Sequence, residues 1–398
     1  MFKKDQKIPE LNLVLDIGTE FVKSILFKVD DDVVYITKTA KVRQSTASMK
    51  SGVVSNIRNV LKTCQNALDL LEVKVENINQ TFIGIAGELV KGIPVEIEYI
   101  RKNPQKEIDQ SEISNIIEKI KDETYEEAQK HFFMSTGDEN EGAIRLIETA
   151  ITDCEIDGFR VEEPIGLSGQ KINLKVFFTY APILHIGYLN SIAKELGLKI
   201  GSIVAEPFAV AHSIHGRKEN DYSAIIIDIG GGTSDIALIK NGVMIGTQML
   251  SFGGRVFTKR ISKNLNIPLD EAEDIKLKYS SRELTMSKIP HIKSIIGLDV
   301  ELWVDGIEIM LEELIDEAKS FPNQILICGG GSLLPEIKDA LIEHPWTQIL
   351  PFNRAPKVSF LMPQDLRLIK DETGKLNGSD DITPLSIARF GADKLSKI

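Results

Sequence analysis

Two stretches of the chain share one pattern of apolar and polar positions. Leu13-Val14-Leu15-Asp16-Ile17-Gly18 is an apolar, β-rich run closed by an acid and a glycine, and Ile225-Ile226-Ile227-Asp228-Ile229-Gly230 repeats it, Asp16 and Asp228 lying 212 residues apart. Each run continues without a gap into a second β-like stretch, Phe21 to Lys28 and Thr233 to Lys240. Each copy therefore reads as strand, tight glycine turn, strand. Glycine lets such a turn approach a ligand closely, because it lacks a Cβ and admits positive φ. Taken singly, either copy is a buried strand leading into a hairpin. Taken together, both end a buried strand on an aspartate, where an unpaired carboxylate is costly. A metal ion or phosphate-bound cation between the two halves relieves both costs at once.

A third glycine cluster, Gly329-Gly330-Gly331-Ser332, follows the strand-like Gln324 to Cys328 and precedes a helix predicted over Pro335 to Ile342, with proline in its first turn. With the two aspartate turns it forms the third wall of a nucleotide cleft. Apolar residues at helical spacing predict further helices at Ile57–Leu71, Gln110–Gln129, Ile186–Leu196, Pro268–Tyr279 and Glu308–Lys319. Strands and helices alternate in both halves, an α/β pattern. From Gly92 to Ala181 the pattern changes to one charged helix and strands at Ala143–Ile151, Phe159–Val161 and Lys171–Tyr180, a small α+β insertion in the first half. Lys370 to Asp381 reads as a polar loop before a final helix, and Ser280 to Trp303 is short enough to suggest a reduced outer part of the second half.

Composition narrows the classes. At roughly 150 residues per domain, 398 residues make two to four domains. A net charge of −11 opposes a polyanion, so no nucleic-acid partner is expected. The odd, scattered cysteines Cys64, Cys154 and Cys328 fit a reducing compartment rather than a disulfide framework. No signal peptide and no apolar run near the ~20 residues of a membrane span is present, so a soluble cytoplasmic protein is expected. The chain has no Gly-x4-Gly-Lys-Ser/Thr loop, and Asp16-Ile17-Gly18-Thr19 does not supply a Gly-x-Gly-x-x-Gly fingerprint. The close pair His212 and His215 has no cysteine neighbour and reads as packing or surface histidine rather than zinc ligation.

Asp16-Ile17-Gly18-Thr19, Asp228-Ile229-Gly230-Gly231-Gly232-Thr233-Ser234-Asp235 and Gly329-Gly330-Gly331-Ser332 resemble, in order and spacing, the two phosphate motifs and the adenosine motif of the actin-like ATPases. Within that superfamily the chain is similar to the bacterial division actin FtsA. The likeness rests on Ser51-Gly52-Val53-Val54 before a helix, Ser251-Phe252-Gly253-Gly254, the run Leu269 to Tyr279, and the place of the insertion. The resemblance implies an actin-like, ribonuclease H-like duplicated two-lobe α/β fold with a small inserted α+β domain. Its expected limits are 1–88, 182–215 and 365–398 for the first lobe, 89–181 for the insert, and 216–254, 255–320 and 321–364 for the second lobe.

Carried onto this sequence, the resemblance implies ATP or ADP with Mg²⁺ in the cleft. Asp16 and Asp228 would hold the ion through water, and the amides of Gly18, Thr19, Gly230, Gly231, Gly232 and Thr233 would grip the phosphates. Lys23 would touch a phosphate and Glu206 would orient the attacking water. Glu273 and Lys276 would meet the ribose or base, and Gly329, Gly330, Gly331 and Ser332 would pack on the adenosine. Each has a plainer reading: Lys23 as a solvated strand residue, Glu206 as a helix N-terminal acid, Glu273 and Lys276 as a surface pair.

The implied role is a slow, Mg²⁺-dependent ATPase at most, which self-associates into filaments and links the C-terminal tail of FtsZ and later division proteins to the inner face of the cell membrane at the septum. FtsA proteins end in a membrane-docking amphipathic helix. Here the last segment, with Leu385, Ala388, Ala392 and Leu395 on one stripe, reads instead as the closing helix of the core, so membrane association is expected to be indirect or weak. Two alternatives stand beside this reading: a PilM-like cytoplasmic scaffold of type IV pili, and a small-molecule kinase of the same superfamily.

Overall fold

The computed structural model describes residues 10–87, 90–136, 143–214 and 222–396. His215 and the expected domain limits at 88/89 and 215/216 lie outside the described residues. In chain order the main elements of the first half are β1 (Leu11–Ile17), β2 (Phe21–Asp30), β3 (Val33–Arg43), α1 (Ile57–Leu70) and β4 (Ile78–Ile85). There follow β5 (Lys91–Ile100), α2 (Gln110–Thr136), β6 (Ile144–Ile156), β7 (Phe159–Arg160) and β8 (Lys171–Pro182). Then come α3 (Ile183–Glu195), β9 (Ile200–Ala205) and α4 (Glu206–Ser213). The second half holds β10 (Ala224–Ile229), β11 (Ser234–Lys240), β12 (Val243–Leu250), α5 (Gly254–Leu265), α6 (Leu269–Ser280) and α7 (Ile289–Glu312). It closes with β13 (Gln324–Cys328), α8 (Pro335–Glu343), β14 (Lys357–Phe360), β15 (Ile369–Asp371) and α9 (Ile382–Leu395).

The sequence repeat is a repeat of topology. One sheet runs β9-β4-β1-β2-β3-β15 and the other β14-β13-β10-β11-β12. In each, the aspartate strand pairs antiparallel with the strand after the glycine turn and parallel with the next strand on its other side. α4 and α9 lie between the two sheets. Their Phe208, Ala388 and Ala392 share one core with Val14 and Phe27 of the first sheet and Ile226 and Ala237 of the second. α1 and α3 cover the outer face of the first sheet, and α5 to α8 that of the second. With both faces covered, β10 is buried at every residue, as expected for a central strand in an α/β layer structure.

The insert is a separate sheet, β5-β8-β6-β7, with α2 packed on it. Local signals match these elements. Asn56 caps α1 by accepting from the amide of Asn59 (3.2 Å), α5 ends on Asn266 in the left-handed conformation, and Pro335 opens α8.

Two expectations need correction. The helix expected at Glu308–Lys319 instead spans Ile289–Glu312, with a separate short turn at Ile315–Ala318. Ile292, Ile296, Val300, Trp303, Val304, Ile307 and Leu311 form its buried stripe. Two features hide that stripe from the sequence. Asp299 sits on it, paired with Arg260 (2.5 Å), and Gly306 interrupts it where a Cβ would lie 2.7 Å from Leu250. The segment Lys370 to Asp381, expected as loop, begins in β15, a parallel edge strand on β3. The final helix is buried from Ile382 through Ala392 against the first lobe and the centre.

Candidate functional site

Strand parity places the chemistry. Side chains alternate across a sheet. Val14 on β1, Ile25 and Phe27 on β2, Ile226 on β10, and Ala237 and Ile239 on β11 all face the central core. Two residues along from these positions, Asp16, Lys23, Asp228 and Asp235 face the same side, toward the gap between the sheets. Register sets Asp16 opposite Lys23 on the first hairpin and Asp228 opposite Asp235 on the second. These residues line a cavity of about 450 Å³ between the lobes, together with Gly329, Gly330 and Gly331.

Four carboxylates converge there. Burial pushes Asp16 up to about 6, against the pull of Lys23 and with a further push from Asp228. Asp235 rises to about 7 through burial and the charge of Asp228, although Thr233 donates a 3.0 Å hydrogen bond to it. Burial raises Asp228 as well, opposed by the hydroxyl of Thr383, which donates at 2.5 Å, and by Lys23. Glu206, the first residue of α4, stands well above the ordinary range through burial and the charges of Asp16, Asp235 and Asp228. Lys23 donates to the backbone oxygen of Asp380, and Lys41 pairs with the Asp380 carboxylate at 2.9 Å. Burial raises Asp380, but Lys41 and Lys23 outweigh it and hold that carboxyl low. The site thus gathers four carboxyls that burial disposes to keep their protons, with two lysines on one wall.

The turns are held by their backbones. Gly230 donates to the carbonyl of Thr233 (2.8 Å), and Gly254 and Arg255 at the start of α5 donate to the carbonyls of Gly230 (2.9 Å) and Gly231 (2.8 Å). Gly329 has φ +81°, and a Cβ there would stand 2.2 Å from Oδ1 of Asp228. Only glycine lets this loop pass the aspartate. Ser332 is fully buried, with its hydroxyl donating to the Gly329 carbonyl at 2.7 Å, so it braces the loop and does not line the cavity. On α6, Glu273 and Lys276 form a buried pair at 2.8 Å. Lys276 also donates to Thr258 Oγ1 (2.9 Å) and the Gly254 carbonyl (3.0 Å), and the Thr258 hydroxyl contacts Glu273. The plainer reading of a solvated surface pair does not hold for them.

Of the residues expected at the site, all except Ser332 line the one cavity. Sequence reasoning gave no role to Asp235, Lys41, Thr383 or Asp380. For Asp235 the signal was present: it stands at the same offset from Asp228 as Lys23 from Asp16. Lys41, Thr383 and Asp380 arrive from distant elements and carry no local pattern.

The seam beside the cavity is bolted by charge. Arg255 on α5 donates to Glu20 (2.9 Å), to the carbonyls of Thr19 and Met49 (2.8 Å each) and to that of Thr46 (3.2 Å), all in the first lobe. Arg43 pairs with Glu20 and, across the seam, with Asp274, each at 2.9 Å. Among the described residues no group of three or more His, Cys, Asp or Glu side chains forms a metal cage, and no helix is long and apolar enough to cross a membrane.

Comparison with known proteins bears on this geometry. A chain of the PilM–PilN type IV pilus biogenesis complex superposes over 96% of this chain and 98% of its own, with a TM-score of 0.68 at 16% identity. The family model described as Cell division protein FtsA matches residues 225–361. This chain has the actin-like fold and resembles FtsA. FtsA of Neisseria meningitidis serogroup B is 29% identical over 269 residues, and FtsA of Pseudomonas aeruginosa is 26% identical over 269; each match covers 67% of this chain. The FtsA-like chain spans about 60% of the length of these relatives. The actin-like fold and the FtsA likeness imply a nucleotide site.

Proposed function

We propose that this chain is an FtsA-like, nucleotide-switched scaffold of bacterial cell division. The observation that carries the reading is the match to the FtsA family over residues 225–361. That segment supplies Asp228, the turn from Gly230 to Thr233, Glu273 and Lys276, and the loop from Gly329 to Ser332, most of the cleft's second-lobe wall. The donor set fits a magnesium nucleotide. A bare polyphosphate would meet four carboxylates, whereas Mg²⁺, which keeps several of its waters and takes one or two carboxylates, would be held by Asp16 and Asp228 and would offset both sets of charge.

In this reading the backbones of Gly18, Thr19 and Gly230 to Thr233 hold the β- and γ-phosphates, and Lys23 reaches a phosphate from β2. Glu206 orients water, while Glu273 and Lys276 meet the ribose or base. Gly329, Gly330 and Gly331 form the adenosine wall, with Ser332 bracing it from behind. Positioning and charge neutralisation are most of what phosphoryl transfer asks of a protein. Nucleotide-dependent closure would favour head-to-tail self-association, a heterologous contact that builds filaments. The assembly would gather the FtsZ C-terminal tail and later division proteins at the inner membrane face.

Titration with Mg·ATP tests the site: wild type binds, and Asp228→Ala weakens binding by at least tenfold. Unchanged binding in the variant overturns the assignment. A PilM-like scaffold of type IV pili is the second reading, supported by the shared fold over nearly the whole chain. Titration against two peptides separates the readings. The FtsZ tail binds under the first, and the cytoplasmic N-terminal segment of PilN under the second.

A further inference from the structure

The seam holds a second cavity, of about 360 Å³, on the other side of the paired glycine turns. Thr19, Glu20, Gly231, Gly232 and Glu273 line both cavities. The turns touch: a Cβ on Gly231 would lie 2.9 Å from Cβ of Glu20, and one on Gly232 would lie 2.7 Å from Oγ1 of Thr19. The two spaces are therefore back to back, with the phosphate-loop backbones as their common wall.

Its lining differs in kind from that of the nucleotide cleft. Ala47, Met49, Val256 and Leu269 give it an apolar surface. Its acids are already engaged: Glu20 holds Arg43 and Arg255, Glu273 holds Lys276, and Asp270 accepts a 2.9 Å hydrogen bond from Thr46. Lys50 from the first lobe and Lys259 from the second also line it, and neither amine has an ion-pair or hydrogen-bond partner among the described residues. Both lysines are exposed, and the lining sets their two side chains beside an apolar surface. The volume is within the range of small-molecule sites.

We propose that this cavity is a second ligand site, for a small anionic amphiphile. Its acidic head pairs with Lys50 and Lys259, and its apolar body lies on Met49, Val256 and Leu269. Because one lysine comes from each lobe, the site is complete only when the lobes are closed, so its ligand binds the closed state in preference.

The probe is 1-anilinonaphthalene-8-sulfonate, an anion with an apolar body, titrated by fluorescence into the full chain without nucleotide. Saturable one-to-one binding is expected, weakened about tenfold or more in the Lys50→Glu/Lys259→Glu double variant. Lys102→Glu, on the insert, leaves it unchanged. Both lysines are exposed, so the variants retain wild-type melting. Val256→Trp, which fills the cavity, abolishes binding independently of charge. Three results overturn the proposal: no saturable binding, a double variant within twofold of wild type, or competitive displacement of the dye by Mg·ATP, which would place it in the nucleotide cleft.

Discussion

Asp16, Glu206, Asp228 and Asp235 are held in one cleft at a cost that depends on pH. A buried carboxyl whose folded pKa is raised binds its proton more tightly folded than unfolded. Its contribution to stability is complete below the unfolded value near 4 and is lost as pH rises through the folded value. For Asp16 and Asp235 that loss runs through about 6 and about 7. The ligand-free protein should therefore lose stability between pH 4 and 8 from these groups. Asp235→Asn, which keeps the shape and an acceptor for Thr233, should be more stable than wild type at pH 8 by on the order of 2 kcal/mol and equal to it near pH 4. Melting curves across that range check it, and a constant difference at all pH values would refute it. Gly329→Ala tests the opposite wall. With φ +81° and a Cβ 2.2 Å from Asp228, it should cost about 1–3 kcal/mol and weaken nucleotide binding at least tenfold, read by thermal melts and titration. At this scale the turns and their aspartates were legible because a motif repeated. Asp235 was written there too, under a register that aligning the two copies would have exposed. The contacts of Thr383 and Asp380 depend on chain crossings that no local pattern records.

Among elements, most of those with regular burial were readable, even α6 with its buried Glu273–Lys276 pair, and α7 was not. α1, α3, α6 and the insert strands β6, β7 and β8 fell within about five residues of their expected places, whereas β5, the first strand of the insert, was not expected. α7 was displaced because Asp299 on its buried stripe is neutralised by Arg260, a partner 39 residues away that a periodicity cannot see. This helix props β11: Trp303 is fully buried, and its indole donates to Ser234 Oγ at 2.8 Å, next to Asp235. Trp303→Ala should lower stability by about 3–5 kcal/mol, measured by urea unfolding. The nucleotide affinity of the folded fraction should fall with it, because Ser234 and Asp235 lose their support. An affinity unchanged at full folding would show that α7 only fills space.

The whole molecule is two copies of one sheet plan around α4 and α9, joined at a seam where Arg255 alone reaches four first-lobe groups. Arg255→Met keeps much of the apolar stem and removes every one of those bonds. It should open the lobes, seen as a larger radius of gyration in solution scattering without nucleotide, with closure regained on adding Mg·ATP. A radius identical to wild type would mean that packing at α4 and α9 sets the closure by itself. The α/β class and its duplication were visible in the sequence. The seam was not, because its ion pairs join residues hundreds of positions apart. The duplication itself bears on direction. A cradle built from two identical halves would receive a chain of phosphates equally well from either end. Here one register position breaks the tie, with Lys23 opposite Asp16 in one half and Asp235 opposite Asp228 in the other. The near-symmetric frame therefore has a cationic end and an acidic end, and a linear anion laid across it would settle in one direction only.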